Sequence, residues 1–302
     1  MRILADSNQT FNRLCTGIAK SLCRFCYFAI LVIASADLSC LLDTVSLSDV
    51  IRMKKDMNDS NTCDCKILSI LIPVYNEQEY LPQIVQRVLA APIPDSLRKE
   101  LIIVDDASKD GTADVLQELA TTHPEIRVFH QPKNNGKGAA IRRATQEMTG
   151  DFAIFQDADL EYDPADYSVV LKPLVEGLAD VVYGSRFATR EIRRIVHYHH
   201  KLGNLFLTHL SNFFTGLDLT DMETGYKAFK ADLIKSIPIR SNRFGMEPEL
   251  TAKLAKRKAV FYEVPISYHG RNYGEGKKIG WKDGVSAIWT ILKYWIFDDS
   301  HV

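Results

Sequence analysis

Phe152-Ala153-Ile154-Phe155-Gln156-Asp157-Ala158-Asp159-Leu160-Glu161 is the stretch on which the fold turns. Four apolar residues in a row make a short strand buried on both faces, and that strand opens onto carboxylates at alternate positions. Asp157 and Asp159 flank a single residue, so at a strand end both can meet one hard divalent cation, which takes oxygen ligands and keeps places for substrate phosphates. The spacing alone says little, because carboxylates two apart recur at Glu77/Glu79, Glu161/Asp163 and Glu247/Glu249. Position strengthens it. An apolar strand aimed at an acidic run with no basic residue beside it in sequence is self-repelling without a cation.

Working outward, the same cycle recurs upstream. Ile67 to Ile72 is an apolar strand stopped by Pro73, and Tyr80 to Ala90 has the period of an amphipathic helix. Leu101 to Val104 is a second strand. It runs into Asp105-Asp106-Ala107-Ser108-Lys109-Asp110-Gly111-Thr112, where Ser108 or Asp110 is placed to cap a helix from Ala113 to Thr121. Ile126 to Phe129, the turn Gly136-Lys137-Gly138 and a helix from Ala139 to Glu147 complete a further unit. The two glycines do not match a phosphate-cradling loop and read as turn residues. Repeated strand-turn-helix units with brief linkers predict an α/β fold with a mostly parallel, doubly wound sheet, whose ligands bind beyond the carboxyl ends of the strands. Downstream, the pattern predicts helices over 165–176, 198–214, 248–256 and 281–297, and strands over 180–183, 226–229 and 260–268.

At 302 residues, with 46% hydrophobic and 25% charged content, the chain suits one large domain carrying an appendage. A formal charge of -1 excludes the overall basic excess that a nucleic-acid partner calls for. All six cysteines lie within the first 65 residues, so the rest of the chain makes no disulfide and offers no thiol nucleophile. Residues 1–65 read as a poorly ordered N-terminal extension or a leader, and residues 66–302 as the catalytic domain. The apolar run Phe25 to Ala36 follows Arg13, Lys20 and Arg24 like a signal segment, but it is shorter than the roughly 20 residues a spanning helix needs. An N-terminal anchor is therefore not the favoured reading, and Met53 or Met57 is a plausible alternative start.

Two basic clusters complete the inventory. Arg186, Arg190, Arg193, Arg194 and Lys201 crowd a stretch with His197, His199 and His200, which is either a solvated helix face or a grip on an anionic acceptor or on headgroups. Arg271-Asn272-Tyr273-Gly274-Glu275-Gly276-Lys277-Lys278 has the composition of a cationic loop able to close on a diphosphate.

Together these motifs resemble family 2 glycosyltransferases, and within them the polyprenyl-phosphate, dolichol-phosphate mannose synthase-like branch. The resemblance spans Ile67 to Phe297 and rests on Pro73-Val74-Tyr75-Asn76-Glu77, Asp105 through Thr112, Gln156 through Glu161, Gly184-Ser185-Arg186, and Arg271 through Lys277. It implies a GT-A nucleotide-diphospho-sugar transferase fold. It also implies that Pro73, Tyr75, Glu77, Asp105 and Asp106 line the nucleotide-sugar pocket, and that Asp157, Asp159 and Glu161 hold Mg²⁺ or Mn²⁺ on the donor diphosphate. Arg271 and Lys277 would close over that diphosphate, and Arg186, Arg194 and His200 would meet the acceptor phosphate. On this reading Asp159, Arg186 and Arg271 carry the catalysis, at the cytoplasmic face of a membrane that the protein touches peripherally, with room for a partner subunit. Two departures stand out: Glu161 occupies a position where many synthases of the branch have Gln, and Asp221-Met222-Glu223-Thr224-Gly225-Tyr226-Lys227 only approximates their corresponding stretch.

The resemblance implies hexose transfer from a GDP-mannose-type or UDP-glucose-type donor to a polyprenyl or dolichyl phosphate, whose oxygen is already ionised and needs no strong base. The alternative acceptor is a sugar hydroxyl of a growing glycan, for which Glu223, Asp221 or Glu247 would serve as base. A nucleotidyltransferase would want a glycine-rich basic loop after the first strand, and Asn76-Glu77-Gln78-Glu79 is acidic instead. A non-catalytic nucleotide-sugar binder is disfavoured by the intact acidic run.

Overall fold

A computed structural model describes residues 65–188, 198–270 and 281–297. The N-terminal extension and Arg190, Arg193, Arg194, His197, Arg271 and Lys277 lie outside the described residues, as does the side chain of His200.

The chain runs β1 (Lys66–Val74), α1 (Leu81–Ala90), β2 (Leu97–Asp105), α2 (Thr112–Thr122), β3 (Ile126–His130), α3 (Lys137–Glu147), β4 (Phe152–Phe155), α4 (Tyr167–Val175), β5 (Val181–Ser185), α5 (Tyr198–Thr215), β6 (Lys227–Lys230), α6 (Ala231–Ser236), α7 (Met246–Lys256), β7 (Phe261–Pro265) and α8 (Trp281–Ile296). The strands form one sheet in the order β3-β2-β1-β4-β6-β5-β7. Alternation along the strands sends side chains to two cores. Leu68, Ile70, Ile72, Leu101 and Ile103 pack with α1, α2 and α4 on one face. Leu71, Ile102 and Val104 pack with α3, α6 and α7 on the other. Period-two alternation in strands that are apolar throughout is what a sheet covered on both faces requires.

β1 pairs in parallel with β2 on one side and β4 on the other. The chain order reverses between them, so their carboxyl ends border the crevice in which ligands of open α/β sheets bind. Residues 75–78 leave one wall of that crevice and residues 156–161 the other.

One expectation is corrected, and two features add to the reading. Pro73 does not stop β1, which continues to Val74 with Pro73 opposite Val104. β4 ends at Phe155 opposite Leu71, so Pro73 lies past the last β4 pair, where its missing N–H breaks no ladder there. β6 runs antiparallel to both β4 and β5, so the sheet is mixed although mostly parallel. The helix α6 went unread because six residues are too few to display a helical period.

Candidate active site

The two loops bordering the first half of the crevice are zipped together. Asn76 N–H donates to Ser108 Oγ at 2.9 Å and Asn76 Oδ1 accepts from Lys109 N–H at 2.8 Å. Glu77 N–H donates to Thr112 Oγ1 at 3.1 Å, and Gln78 Oε1 accepts from Gly111 N–H at 3.1 Å. Asp110 Oδ1 accepts from Thr112 N–H at 3.1 Å, so of the two candidate caps it is Asp110 that serves the start of α2, while Ser108 turns to Asn76. Asn76 and Ala107 both adopt left-handed backbone, at φ 53 and 59°. Such conformations disfavour side chains and persist where surrounding bonds over-determine them, as they do here.

Asp105 and Asp106 have inward tasks. Asp105 Oδ1 accepts from Ser108 N–H at 3.0 Å, and its Oδ2 lies 3.0 Å from His130 Nδ1. Asp106 takes Asn135 N–H on Oδ1 at 2.9 Å and Gly136 N–H on Oδ2 at 2.6 Å. Both are buried, so they shape the crevice by holding its loops. Gly136 sits at φ 97°, a region open to glycine, and so delivers Lys137 as the first residue of α3. Asp106→Ala strands two backbone donors and is expected to lower stability by about 2 kcal/mol, read from the urea midpoint.

Lys137 is the residue that sequence spacing missed. Its ammonium lies 2.8 Å from Asp157 Oδ1 and 3.4 Å from Glu247 Oε1. The acidic strand end therefore has a basic neighbour, brought from a turn remote in sequence. Burial by itself would lower the Lys137 pKa, but the charges of Asp157 and Glu247 outweigh it and hold the ammonium above the ordinary lysine range. Asp159 Oδ1 accepts from Glu161 N–H at 3.2 Å across Leu160, itself left-handed at φ 61°. Glu161 Oε2 accepts from Tyr268 O–H at 2.7 Å. Among the described residues no three His, Cys, Asp or Glu side chains converge on one point as a ready metal cluster, so the expected set Asp157, Asp159 and Glu161 is adjacent but not gathered. Its chemistry fits a hard cation: oxygen donors at a strand end, one of them already drawing an ammonium.

A tyrosine floor supports the run. Tyr162 stacks on Tyr226 at 4.8 Å and meets Tyr268 at 5.4 Å between centroids. Tyr167 and Tyr226 both donate to Gln156 Oε1, at 2.8 and 2.6 Å, while Gln156 Nε2 donates to Asp157 O at 2.9 Å. Gly225 N–H donates to Tyr162 Oη at 2.7 Å, and a Cβ on Gly225 would stand 2.6 Å from Asp157 Oδ2. Only glycine lets residues 221–227 press this close to the acidic run.

Arg186 grips Asp221 in a fork, Nε to Oδ2 and Nη2 to Oδ1 at 2.7 Å each, and its guanidinium lies 5.2 Å over the Tyr268 ring. Beyond it, Lys227 Nζ donates to the carbonyls of Met222 and Thr224 from inside the protein. Burial pushes the Glu223 carboxyl up to about 8, with the neighbouring charge of Glu247 adding to the rise. A carboxyl raised in the folded state binds more protons there than when unfolded, so its contribution to stability is present at low pH and lost as pH climbs toward 8. Relative to Glu223→Gln, the wild-type urea midpoint is therefore expected to fall between pH 5 and 8.

Pro73, Tyr75 and Glu77 are half-buried at and just beyond the end of β1, the strand that neighbours β4 in the sheet. The structure thus brings together the end of β1, the zipped loops and the acidic run. To these it adds Lys137, Gln156, Tyr162, Tyr226 and Glu247.

A mostly parallel seven-stranded sheet of this order, with carboxylates at its switch point, is the GT-A fold. The solved neighbours agree: glucosyl-3-phosphoglycerate synthase from Mycobacterium tuberculosis, crystallised with Mn²⁺, uridine diphosphate and glucosyl-3-phosphoglycerate, superposes with a TM-score of 0.59 at 21% identity, over 78% of this chain and 82% of its own. Residues 69–237 match the model of glycosyl transferase family 2, and the chain belongs to that family as a glycosyltransferase. It is similar to the undecaprenyl-phosphate mannosyltransferase of Micrococcus luteus, 30% identical over 76% of this chain and 96% of that protein. It is also similar to the dolichol-phosphate mannosyltransferase of Pyrococcus furiosus, 28% identical over 70% of this chain, where the match spans 59% of the relative's length.

Proposed function

We propose that the chain transfers a hexose from a nucleotide sugar to a polyprenyl phosphate at a membrane surface, by a single displacement at the anomeric carbon. The observation that carries this reading is the acidic run at the β1/β4 switch point with an ammonium already drawn to it, joined to the polyprenyl-phosphate acceptors named in the relatives that match most of the chain. Pro73, Tyr75 and Glu77 would form the wall for the nucleoside, on loops that Asp105 and Asp106 fix. Asp157, Asp159 and Glu161 would hold Mg²⁺ or Mn²⁺, which when bound supplies positive charge against the departing nucleoside diphosphate. Glu161 would exchange its Tyr268 partner in doing so. Arg186, oriented by Asp221, would offer the acceptor phosphate a guanidinium whose direction is already set. Arg271, Lys277, Arg194 and His200 remain as proposed contributors.

The surface supports peripheral membrane contact. Tyr198, Leu202, Phe206 and Phe213 are exposed along α5, and Trp289, Ile296 and Phe297 along and just past α8, which packs on α5. No acidic residue occurs in α5. Apolar faces with cationic flanks suit a helix lying in the headgroup layer. No helix among the described residues is long and apolar enough to cross a membrane.

The test incubates purified protein with labelled UDP-glucose or GDP-mannose, vesicles carrying polyprenyl phosphate, and Mg²⁺ or Mn²⁺. Label extractable into organic solvent is the expected result. Label confined to a water-soluble glycan overturns the lipid acceptor.

A further inference from the structure

Tyr162, Tyr167, Tyr226 and Tyr268 gather beside the acidic run, and the first three are buried. Tyr167 and Tyr226 donate to Gln156 Oε1, and Tyr162 Oη accepts from Gly225 N–H. Tyr268 differs. It is half-buried, and its hydroxyl donates to Glu161 Oε2 at 2.7 Å. Its ring meets Tyr162 at 5.4 Å between centroids and carries the Arg186 guanidinium at 5.2 Å. One side chain thus touches a carboxylate proposed for the cation and the guanidinium proposed for the acceptor phosphate.

The backbone around Tyr268 is anchored independently of that hydroxyl. Ser267 N–H donates to Asp166 Oδ2, His269 N–H donates to Glu161 O at 2.8 Å, and a bridge pairs Tyr268 with Tyr162. The ring can therefore keep its place while the hydroxyl changes partner. A phenol has a single O–H to donate. A cation that draws Glu161 away leaves this donor without a partner in a half-buried place, which is costly. Beside it, Arg186 has committed Nε and Nη2 to Asp221, which leaves Nη1 for another anion.

We propose that the Tyr268 hydroxyl changes partner during the reaction cycle. It holds the Glu161 carboxylate while the site is empty, and it donates to the acceptor phosphate at Arg186 once a cation takes Glu161. The proposal rests on the cation and acceptor readings given above and adds a residue to the second. It also favours an anionic acceptor over a neutral hydroxyl, since a hydrogen bond to a charged oxygen is the stronger one.

Tyr268→Phe tests this, because it keeps the ring against Tyr162 and Arg186 and removes the hydroxyl alone. Two affinities are expected to move in opposite directions. Mn²⁺ titrated calorimetrically into protein holding excess UDP or GDP, against a protein-free blank, is expected to bind about 3- to 10-fold more tightly, since Glu161 has no hydrogen bond to give up. At saturating donor and Mn²⁺, the KM for polyprenyl phosphate in phosphatidylcholine vesicles is expected to rise about 10- to 100-fold. A tyrosine that merely supports the fold would weaken both or move neither. Tightened Mn²⁺ binding also reports that the variant is folded.

Mn²⁺ binding that is weaker or unchanged in the variant overturns the proposal, because the hydroxyl is then no rival of the cation. So does an acceptor KM within about 2-fold of the wild type, whatever happens to kcat. Failure of the underlying readings looks different and is seen in the wild type. Wild type that takes up no Mn²⁺ with either diphosphate removes the cation reading. Wild type that glycosylates only water-soluble hydroxyls removes the acceptor reading. The proposal falls with either.

Discussion

Asp159→Ala is expected to lower the initial rate of sugar transfer by about 10³-fold, since on the proposed reading it would help hold the cation that neutralises charge developing on a leaving diphosphate, and such neutralisation contributes several kcal/mol to the transition state. The same substitution is expected to leave the melting temperature within about 2 °C, because half-exposed polar positions rarely matter to stability by more than about 0.5 kcal/mol. The Asp159 carboxylate accepts from Glu161 N–H at 3.2 Å, a contact local to a loop already fixed by the tyrosine floor. Rate loss without melting loss separates a chemical role from a structural one. A variant that retained transfer would remove Asp159 from the machinery. Glu161→Gln is the informative companion, because it keeps an oxygen for a cation and an acceptor for Tyr268 while removing the charge.

Asp221→Ala is expected to act in the opposite way, destabilising the fold first. Asp221 is fully buried and accepts two hydrogen bonds from one edge of the Arg186 guanidinium, at Nε and Nη2. Removing one member of such a pair leaves an uncompensated charge out of water and costs about 3–5 kcal/mol. For a domain of this size that lowers the melting temperature by roughly 6–20 °C. Replacing the pair together, Arg186→Met with Asp221→Leu, is expected to recover much of that loss, since an apolar pair of similar volume is often neutral. Transfer should not return with it if Arg186 meets the acceptor phosphate. Calorimetry on the two variants, beside transfer rates, resolves the pair into its two tasks.

How much of this was legible in the sequence follows from the range of each signal. β4 and its acidic run were read residue for residue, because a strand apolar on both faces has a local signature. The doubly wound order was legible for the same reason, through four successive units. The antiparallel β6 was not, since four residues carry no mark of direction and only the register with β4 and β5 sets it. Lys137 was read as part of a glycine turn, and nothing local in Gly136-Lys137-Gly138 announces an ion pair with a residue on another strand. The tyrosine floor was missed likewise, since Tyr162, Tyr226 and Tyr268 come from three separate segments and look like ordinary core residues singly. Asp105 and Asp106 were found as a pair, but their duty to the loops depends on where residues 131–136 return, which is a property of the closed sheet.

The contact between Lys137 and Asp157 bears on how the protein comes into being. A strand end that carries several carboxylates hinders its own collapse through like-charge repulsion. Here the neutralising charge is covalently part of the same chain, delivered by the helix that forms immediately before β4. The domain can therefore close over this strand end with its own ammonium in place of an ion.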